Sequence, residues 1–391
     1  MALASVSKGG VWGSQPVIGI MGDYYSNPAL LDVPHTAETH GDLLLDAPTS
    51  YVGDAYKLNV LPSFRVSNAQ GYSTLDSNYQ HLNVSNEFDN PRGSFTVTLG
   101  AARDSSLNHD YLLDGSTGVR RDSLLGEANW DHQLSERLDI DTDANWTRVL
   151  YGTSNGTQTL NDYKYESIAP TLSWAESERG KLTATAGAGR YNSIDGRTES
   201  ISANAQLGFS QKLTEIWTLS AAGGYSRANN RANYSIPELV ITPEGIGIVL
   251  VPVTLKTTQN GSVYNVTLNR QTTLLSLSAV ASQQLSPTGF AFLARQSVYQ
   301  IQASYTATPR WTIGGDVHRI SYEQPAIGPA SGLKFNVTYI AATAAWAWSE
   351  HWNLTLTATR VMERYISAPL SVASTGVSIE LSRRFDWKPF Q

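Results

Sequence analysis

The chain has 391 residues with no cysteine, which excludes disulfides, thiolate metal centres and cysteine nucleophiles. Hydrophobic residues make up 41% and charged residues 16%, against roughly 25% charge on ordinary soluble domains. A net charge of -6 without any Lys/Arg-rich block argues against nucleic acid as a partner.

Taken in chain order, alternating segments fall at 16–26, 40–49, 56–68, 72–87, 93–105, 119–133, 137–150, 162–177 and 181–193. They continue at 197–211, 216–229, 258–268, 270–284, 297–308, 311–322, 333–348, 352–365 and 376–387. Leu354, Leu356 and Ala358 against Thr355, Thr357 and Thr359 is typical. A period of two belongs to strands and does not fit a helix of 3.6 residues per turn. No run of about 18 apolar residues exists, so a helical membrane span is excluded. The expected fold is therefore all-β. It is a single transmembrane antiparallel β-barrel of about 18 strands, with 16 as the alternative count, built on short periplasmic turns and longer extracellular loops. Residues 1–15 form an N-terminal periplasmic segment and 16–391 the barrel. Met1 to Lys8 lacks the basic and apolar regions of an intact export signal, so a mature form is expected.

Tryptophan supports this placement. Trp130, Trp174, Trp217, Trp311, Trp346, Trp348, Trp352 and Trp387 all lie within about six residues of a short turn or of the C-terminus. An indole prefers the level where hydrocarbon meets headgroups, because its ring is apolar and its N–H needs a partner. Trp130, Trp174, Trp217, Trp311, Trp348, Trp352 and Trp387 are accordingly assigned to an interface girdle touching outer-membrane lipid. A soluble sandwich would supply no reason for Trp beside one class of turn. Arg383 falls on the outward face of the last strand, where it can snorkel to the periplasmic edge.

With apolar residues outward, parity turns Glu127, Asp131, Asp139, Asp141 and Asp143 into the lumen as an acidic wall. Ser200, Ser202, Asn204, Gln206, Gln300 and Gln302 join them as lumen-lining residues, with Lys57, Asn59 and Arg65 on another strand. Carboxylates on a solvated strand have no burial to raise one pKa for glycosidase chemistry. Asp316-x-His318 supplies only two potential metal ligands, and no nucleophile elbow, zinc-protease, P-loop or dinucleotide motif is present. The chain is thus expected to be no enzyme and to need no cofactor or metal. Arg383 and the stretch 237–253 break the pattern. The aliphatic stretch 237–253 fits a hairpin standing above the barrel, an inward lid or an unassigned strand pair, and the longer segments around 106–118, 151–161, 230–257, 285–296 and 323–332 read as extracellular.

Gly22-Asp23-Tyr24-Tyr25-Ser26-Asn27-Pro28, Arg270-Gln271-Thr272, Gln284-Leu285-Ser286-Pro287-Thr288-Gly289 and Thr308-Pro309-Arg310-Trp311 together resemble a family of outer-membrane β-barrel porins associated with exopolysaccharide export systems. The resemblance implies a porin-like channel in the bacterial outer membrane that secretes an exopolysaccharide. It also implies periplasmic or inner-membrane polysaccharide export components as partners. Two alternatives stand beside it: a general small-solute porin, and a structural sheath around an electron-transfer cytochrome partner.

Overall fold

The computed structural model describes residues 10–28, 30, 37–70, 78–106, 119–152, 160–242, 245–289, 292–324, 334–366 and 371–386. Nearly all of these lie in strands. The first group is β1 (Val11–Ser14), β2 (Val17–Tyr25), β3 (Glu38–Asp46), β4 (Thr49–Val52), β5 (Tyr56–Gln70), β6 (Tyr79–Asn90) and β7 (Gly93–Ser105). Next come β8 (Arg120–Ser135), β9 (Leu138–Tyr151), β10 (Tyr163–Ala175), β11 (Gly180–Ser193), β12 (Thr198–Lys212) and β13 (Trp217–Thr242). The rest are β14 (Gly245–Gln271), β15 (Leu275–Pro287), β16 (Leu293–Thr308), β17 (Trp311–Glu323), β18 (Lys334–Ala347), β19 (Trp352–Tyr365) and β20 (Ser371–Arg384).

Every pairing is antiparallel, and each strand from β5 onward pairs with the next. The ring closes where Tyr24 of β2 meets Val377 of β20. Twenty segments make an eighteen-stranded closed barrel, because two wall strands are each broken in the middle. β3 pairs with the upper part of β5 and β4 with its lower part. In the same way β2 pairs with β3 and β1 with β4.

Both breaks sit at a proline, Pro16 and Pro48. A proline carries no N–H and cannot donate to the ladder. Backbone bonds bridge the gaps, from Gln15 N–H to Pro48 O at 3.1 Å and from Phe385 N–H to Pro16 O at 2.7 Å. Val11–Ser14, in the segment that the sequence sets before the barrel, thereby extends the wall.

Connections below the barrel are tight. Gly93 follows Asn90 across two residues, and Trp311 follows Thr308 across two. On the opposite end, Ile194 to Arg197 make an unusually short extracellular turn, with Gly196 at φ 72°, a backbone region that favours glycine. Asp195 fixes this turn by accepting from Ser193 Oγ at 2.6 Å and Arg197 N–H at 3.0 Å. Partial burial works to raise its carboxyl pKa, but these bonds and the Arg197 charge hold it below the usual range.

The stretch 237–253 belongs to a long hairpin. β13 and β14 pair continuously from Trp217↔Arg270 to Thr242↔Gly245. β12 follows β13 only as far as Thr198↔Ala232, and β15 follows β14 only as far as Tyr264↔Gln283. Above Ala232↔Leu255 the sheet ladder consists of these two strands alone. Among the three options for this stretch, the extended hairpin is the one formed.

Because that extension adds nothing to barrel closure, deleting 236–251 and joining Ser235 to Pro252 through a short turn should leave a folded barrel. Heat-modifiable migration on cold gels should match the parent. Loss of the folded band would show that the extension supports the wall.

Candidate functional site: the lumen and the outer girdle

Side chains of one parity meet segments from across the ring, which identifies the inner face. Tyr191 of β11 donates from its hydroxyl to Thr288 O at 3.2 Å, although four strands intervene between β11 and β16. The opposite parity presents exposed apolar residues, among them Leu207 at 73% and Ile301 at 57%. An apolar band running round the wall needs lipid rather than water.

The inner face is divided chemically. From β2 to β9 it is rich in carboxylates. Arg65 is held between Asp23 and Asp42, at 2.7 Å from Asp23 Oδ2 and in direct contact with Asp42 Oδ2, and both acids are buried. Beside them His40 Nε2 lies 3.1 Å from Glu38 Oε2. Lower down, Lys57 reaches Glu87 at 2.9 Å and Asp89 at 3.1 Å. Register then places Asp131 opposite Asp141, and Asn129 opposite Asp143, on the same face. Asn129 Nδ2 donates to Asp141 Oδ2 at 3.1 Å and to Asp143 Oδ1 at 2.9 Å. Asp139 has Lys181 at 3.6 Å. Glu127 shares this face through its pairing with Asn145. Glu127, Asp131, Asp141 and Asp143 have no cationic partner among the described residues. The five carboxylates singled out from the sequence therefore stand together on β8 and β9, with one lysine between them.

From β10 to β15 the described inner face carries no carboxylate. Its charges are Lys181 and Lys212 near the periplasmic rim. Ser200, Ser202, Asn204 and Gln206 run up β12 on this face, and Gln300 and Gln302 continue the same chemistry on β16. Gln300 Nε2 donates to Asp316 Oδ1 at 2.7 Å, and Asp316 Oδ2 lies 2.6 Å from His318 Nδ1. That pair is satisfied internally, and no cluster of three metal-ligating side chains exists among the described residues.

A hairpin occupies the neutral half. The described parts of 285–296, expected as an extracellular loop, fold inward instead, with β16 still paired to β17 as far as Arg295↔Glu323. Above Gln283 the β15–β16 hairpin has lost β14 as a neighbour, and its outward-parity side chains turn against the inner face of the wall from the top of β9 to β14. Leu293 and Ala294 are completely buried, and Leu293 packs with Val149, Tyr163, Tyr191 and Ala228. Asn161 N–H donates to Gly289 O at 2.7 Å. Arg295 crosses to β14, donating to Asn260 O at 2.7 Å, and its other arm lies 3.3 Å from Glu323. The wall opposite is built from small side chains. A Cβ at Gly261 would lie 2.2 Å from the Arg295 guanidinium, so any larger residue there would have to displace the tip of that arginine. Between hairpin and wall remains a cavity of about 230 Å³, lined by Tyr165, Thr185, Ser202, Asn204, Gln206 and Gln284 among others. Ser200 lies under cover and is fully buried.

On the outside, aromatic rings gather at the periplasmic end. Trp12–Tyr51, Tyr51–Tyr56 and Tyr56–Phe88 have centroids 5.1, 5.9 and 5.0 Å apart. Register carries the row onward through Phe95 to Trp130. Trp311, Trp346 and Trp348 stack in series, and Trp174 is exposed at the foot of β10. Trp217 and Trp352 begin their strands at the same end, each under an arginine. Arg270 lies 5.6 Å from the Trp217 ring, and Arg383 lies 5.4 Å from Trp352 and 4.8 Å from Phe385. Guanidinium over an aromatic face is attractive and keeps the cation at the interface. Trp12 was missed from sequence because it precedes the expected barrel, while Trp387 lies outside the described residues.

A closed wall, an apolar outer band with an aromatic girdle, a polar interior and both described chain ends on one side fit a single kind of protein. The chain is an outer-membrane β-barrel.

Neither a protein-family model nor a curated protein sequence matches the chain. Solved structures with a similar fold include Pseudomonas aeruginosa OccK3 (OpdO), at 12% identity and a TM-score of 0.48 over 96% of both chains. The ferric citrate transporter FecA in its unliganded form matches at 8% identity and a TM-score of 0.51, over 96% of this chain and 79% of its own. Pseudomonas aeruginosa OpdK with vanillate matches at 12% identity and a TM-score of 0.46, over 96% and 99%. At such identities the likeness concerns the fold alone.

Leu293→Ala should release the hairpin tip, since emptying a buried leucine site costs about 2–5 kcal/mol. In planar bilayers the variant should conduct more, with larger current fluctuations. Conductance equal to the parent would show that the hairpin does not narrow the ion path.

Proposed function

We propose that this barrel is a passive, cation-preferring channel for small polar solutes. The observation that carries this reading is the combination of a carboxylate-lined half with a hairpin docked in the other half. Glu127, Asp131, Asp139, Asp141 and Asp143 line the wall left open by the hairpin, and carboxylates facing a confined aqueous path raise the local concentration of cations. Ser200, Ser202, Asn204, Gln206, Gln300 and Gln302 contribute neutral donors and acceptors to the remainder of the lining.

The other readings make different demands on the lumen. Export of an exopolysaccharide calls for the full width of an eighteen-stranded pore, and the docked hairpin takes up part of that width. A sheath around a cytochrome needs still more, since a folded protein must fit inside. Both require the hairpin to swing away from Tyr191 and Asn161. A small-solute channel works with the hairpin where it is.

Replacing Asp139, Asp141 and Asp143 together by Asn should lower the preference for potassium over chloride. Reversal potentials in a salt gradient measure this directly. The change should be greatest at low salt, because screening lengths grow from about 8 Å at physiological ionic strength to about 30 Å at 0.01 M. An unaltered reversal potential would remove these carboxylates from the ion path.

A further inference from the structure

We propose that the outer face at the extracellular end of β8–β10 binds the phosphate of an outer-leaflet lipid, with an acyl chain seated in the adjoining groove. The first observation is a pair of cations. Arg148 of β9 and Lys164 of β10 are register partners and share the outward face with Trp146 and Ile168. Like charges directly opposite on neighbouring strands repel. Neither has an ion-pair partner among the described residues, and Arg148 Nε is buried without any hydrogen-bond acceptor. The surrounding charges offer no relief. Glu166, next on the same face, forms no ion pair among the described residues. Arg190 is engaged by Glu199 at 2.8 Å, and Asp122 is taken by Arg103 at 2.7 Å and by Arg120 at 3.3 Å.

Height gives the second observation. Lys164 stands ten residues above Trp174 on β10. Ten residues of a strand tilted by about 40° climb roughly 26 Å, close to the height of the apolar band. The pair therefore sits at the outer headgroup level, where the groups that a lipid offers to two cations are its phosphates. Charge-assisted bonds to phosphate are the strong class of hydrogen bond, and arginine suits them by its forked geometry.

The third observation is a groove of about 550 Å³ on the same outer face, whose lining includes Leu82, Ala101, Leu124 and Leu150 and reaches Arg148. Ala101 keeps its floor low between the leucines. A phosphate on Arg148 and Lys164 brings a lipid tail to its mouth. The site is outside the barrel and independent of what the lumen conducts.

The test is native mass spectrometry of the full chain in detergent, titrated with bisphosphorylated lipid A, with the same lipid after dephosphorylation, and with inorganic phosphate. One lipid A should be retained through detergent release. Arg148→Gln with Lys164→Gln should weaken retention at least about tenfold, the scale of losing a charge-assisted pair. Arg310→Gln, at a periplasmic turn, should leave it unchanged. Removal of the phosphates should weaken retention to a similar degree, and inorganic phosphate should compete only at far higher concentration. Heat-modifiable migration checks that every variant is folded, and a milder Arg148→Lys variant should retain most of the binding. Equal retention of the dephosphorylated lipid, or no loss in the folded double variant, would overturn the proposal. Competition by inorganic phosphate at concentrations equal to the lipid would mark a plain anion site and overturn the lipid assignment.

Discussion

Lipid offers no hydrogen bonds, so every backbone N–H and C=O at membrane depth must find its partner within the wall. Closure of β2 on β20 meets that requirement, and the other features follow from it. The closed ring pairs every strand with two neighbours up to the level of Tyr264↔Gln283, where β15 leaves β14, and it gives each strand one face toward lipid and one toward the interior. The two proline breaks show how strict the demand is. Where Pro16 and Pro48 cannot donate, the neighbouring Gln15 and Phe385 amides reach across the gaps. Only above the membrane, in the β13–β14 extension, does the sheet shrink to two strands.

The inner face has more freedom, and the chain uses it asymmetrically. Carboxylates with a few cations occupy the wall from β2 to β9, while hydroxyls, amides and glycines occupy β10 to β15. The small side chains of the neutral wall leave room for a hairpin, and Leu285, Leu293 and Arg295 fill it. One sheet thereby packs on itself inside the barrel. Its tip is secured by a buried leucine and a tyrosine hydroxyl, while the acidic side remains open.

Much of this was legible in the sequence. Alternation such as Leu354 to Thr359 is local, and it reports strand, face and approximate boundary together. The eighteen-strand count and the side of the short turns follow from it. Arg383 was legible as an outward cation near the periplasmic edge, although its place between Trp352 and Phe385 depends on register. The carboxylates of β8 and β9 were legible as neighbours because adjacent strands are paired through a short turn. The partners of Arg65 were harder to see, since Asp23 and Asp42 lie on the strands with the weakest alternation. The inward hairpin could not be read locally. Leu285 and Leu293 keep the parity of lipid-facing residues, and only the small residues opposite, Gly187, Gly189, Ser202, Ala228 and Gly261, reveal where they go. That complementarity spans up to about a hundred residues of sequence, and no period encodes it.

The position of this hairpin underlies the account of the lumen, and its contact with the opposite wall can be measured directly. The chain has no native cysteine, so Asn161→Cys and Gly289→Cys can be introduced as a unique pair and treated with a short bis-maleimide in intact outer membranes. The two backbones meet at 2.7 Å in the docked hairpin. Efficient cross-linking of these two positions, detected as a linked peptide after digestion, is the expected result. Modification of both cysteines without a link would place the hairpin outside the lumen and contradict the account.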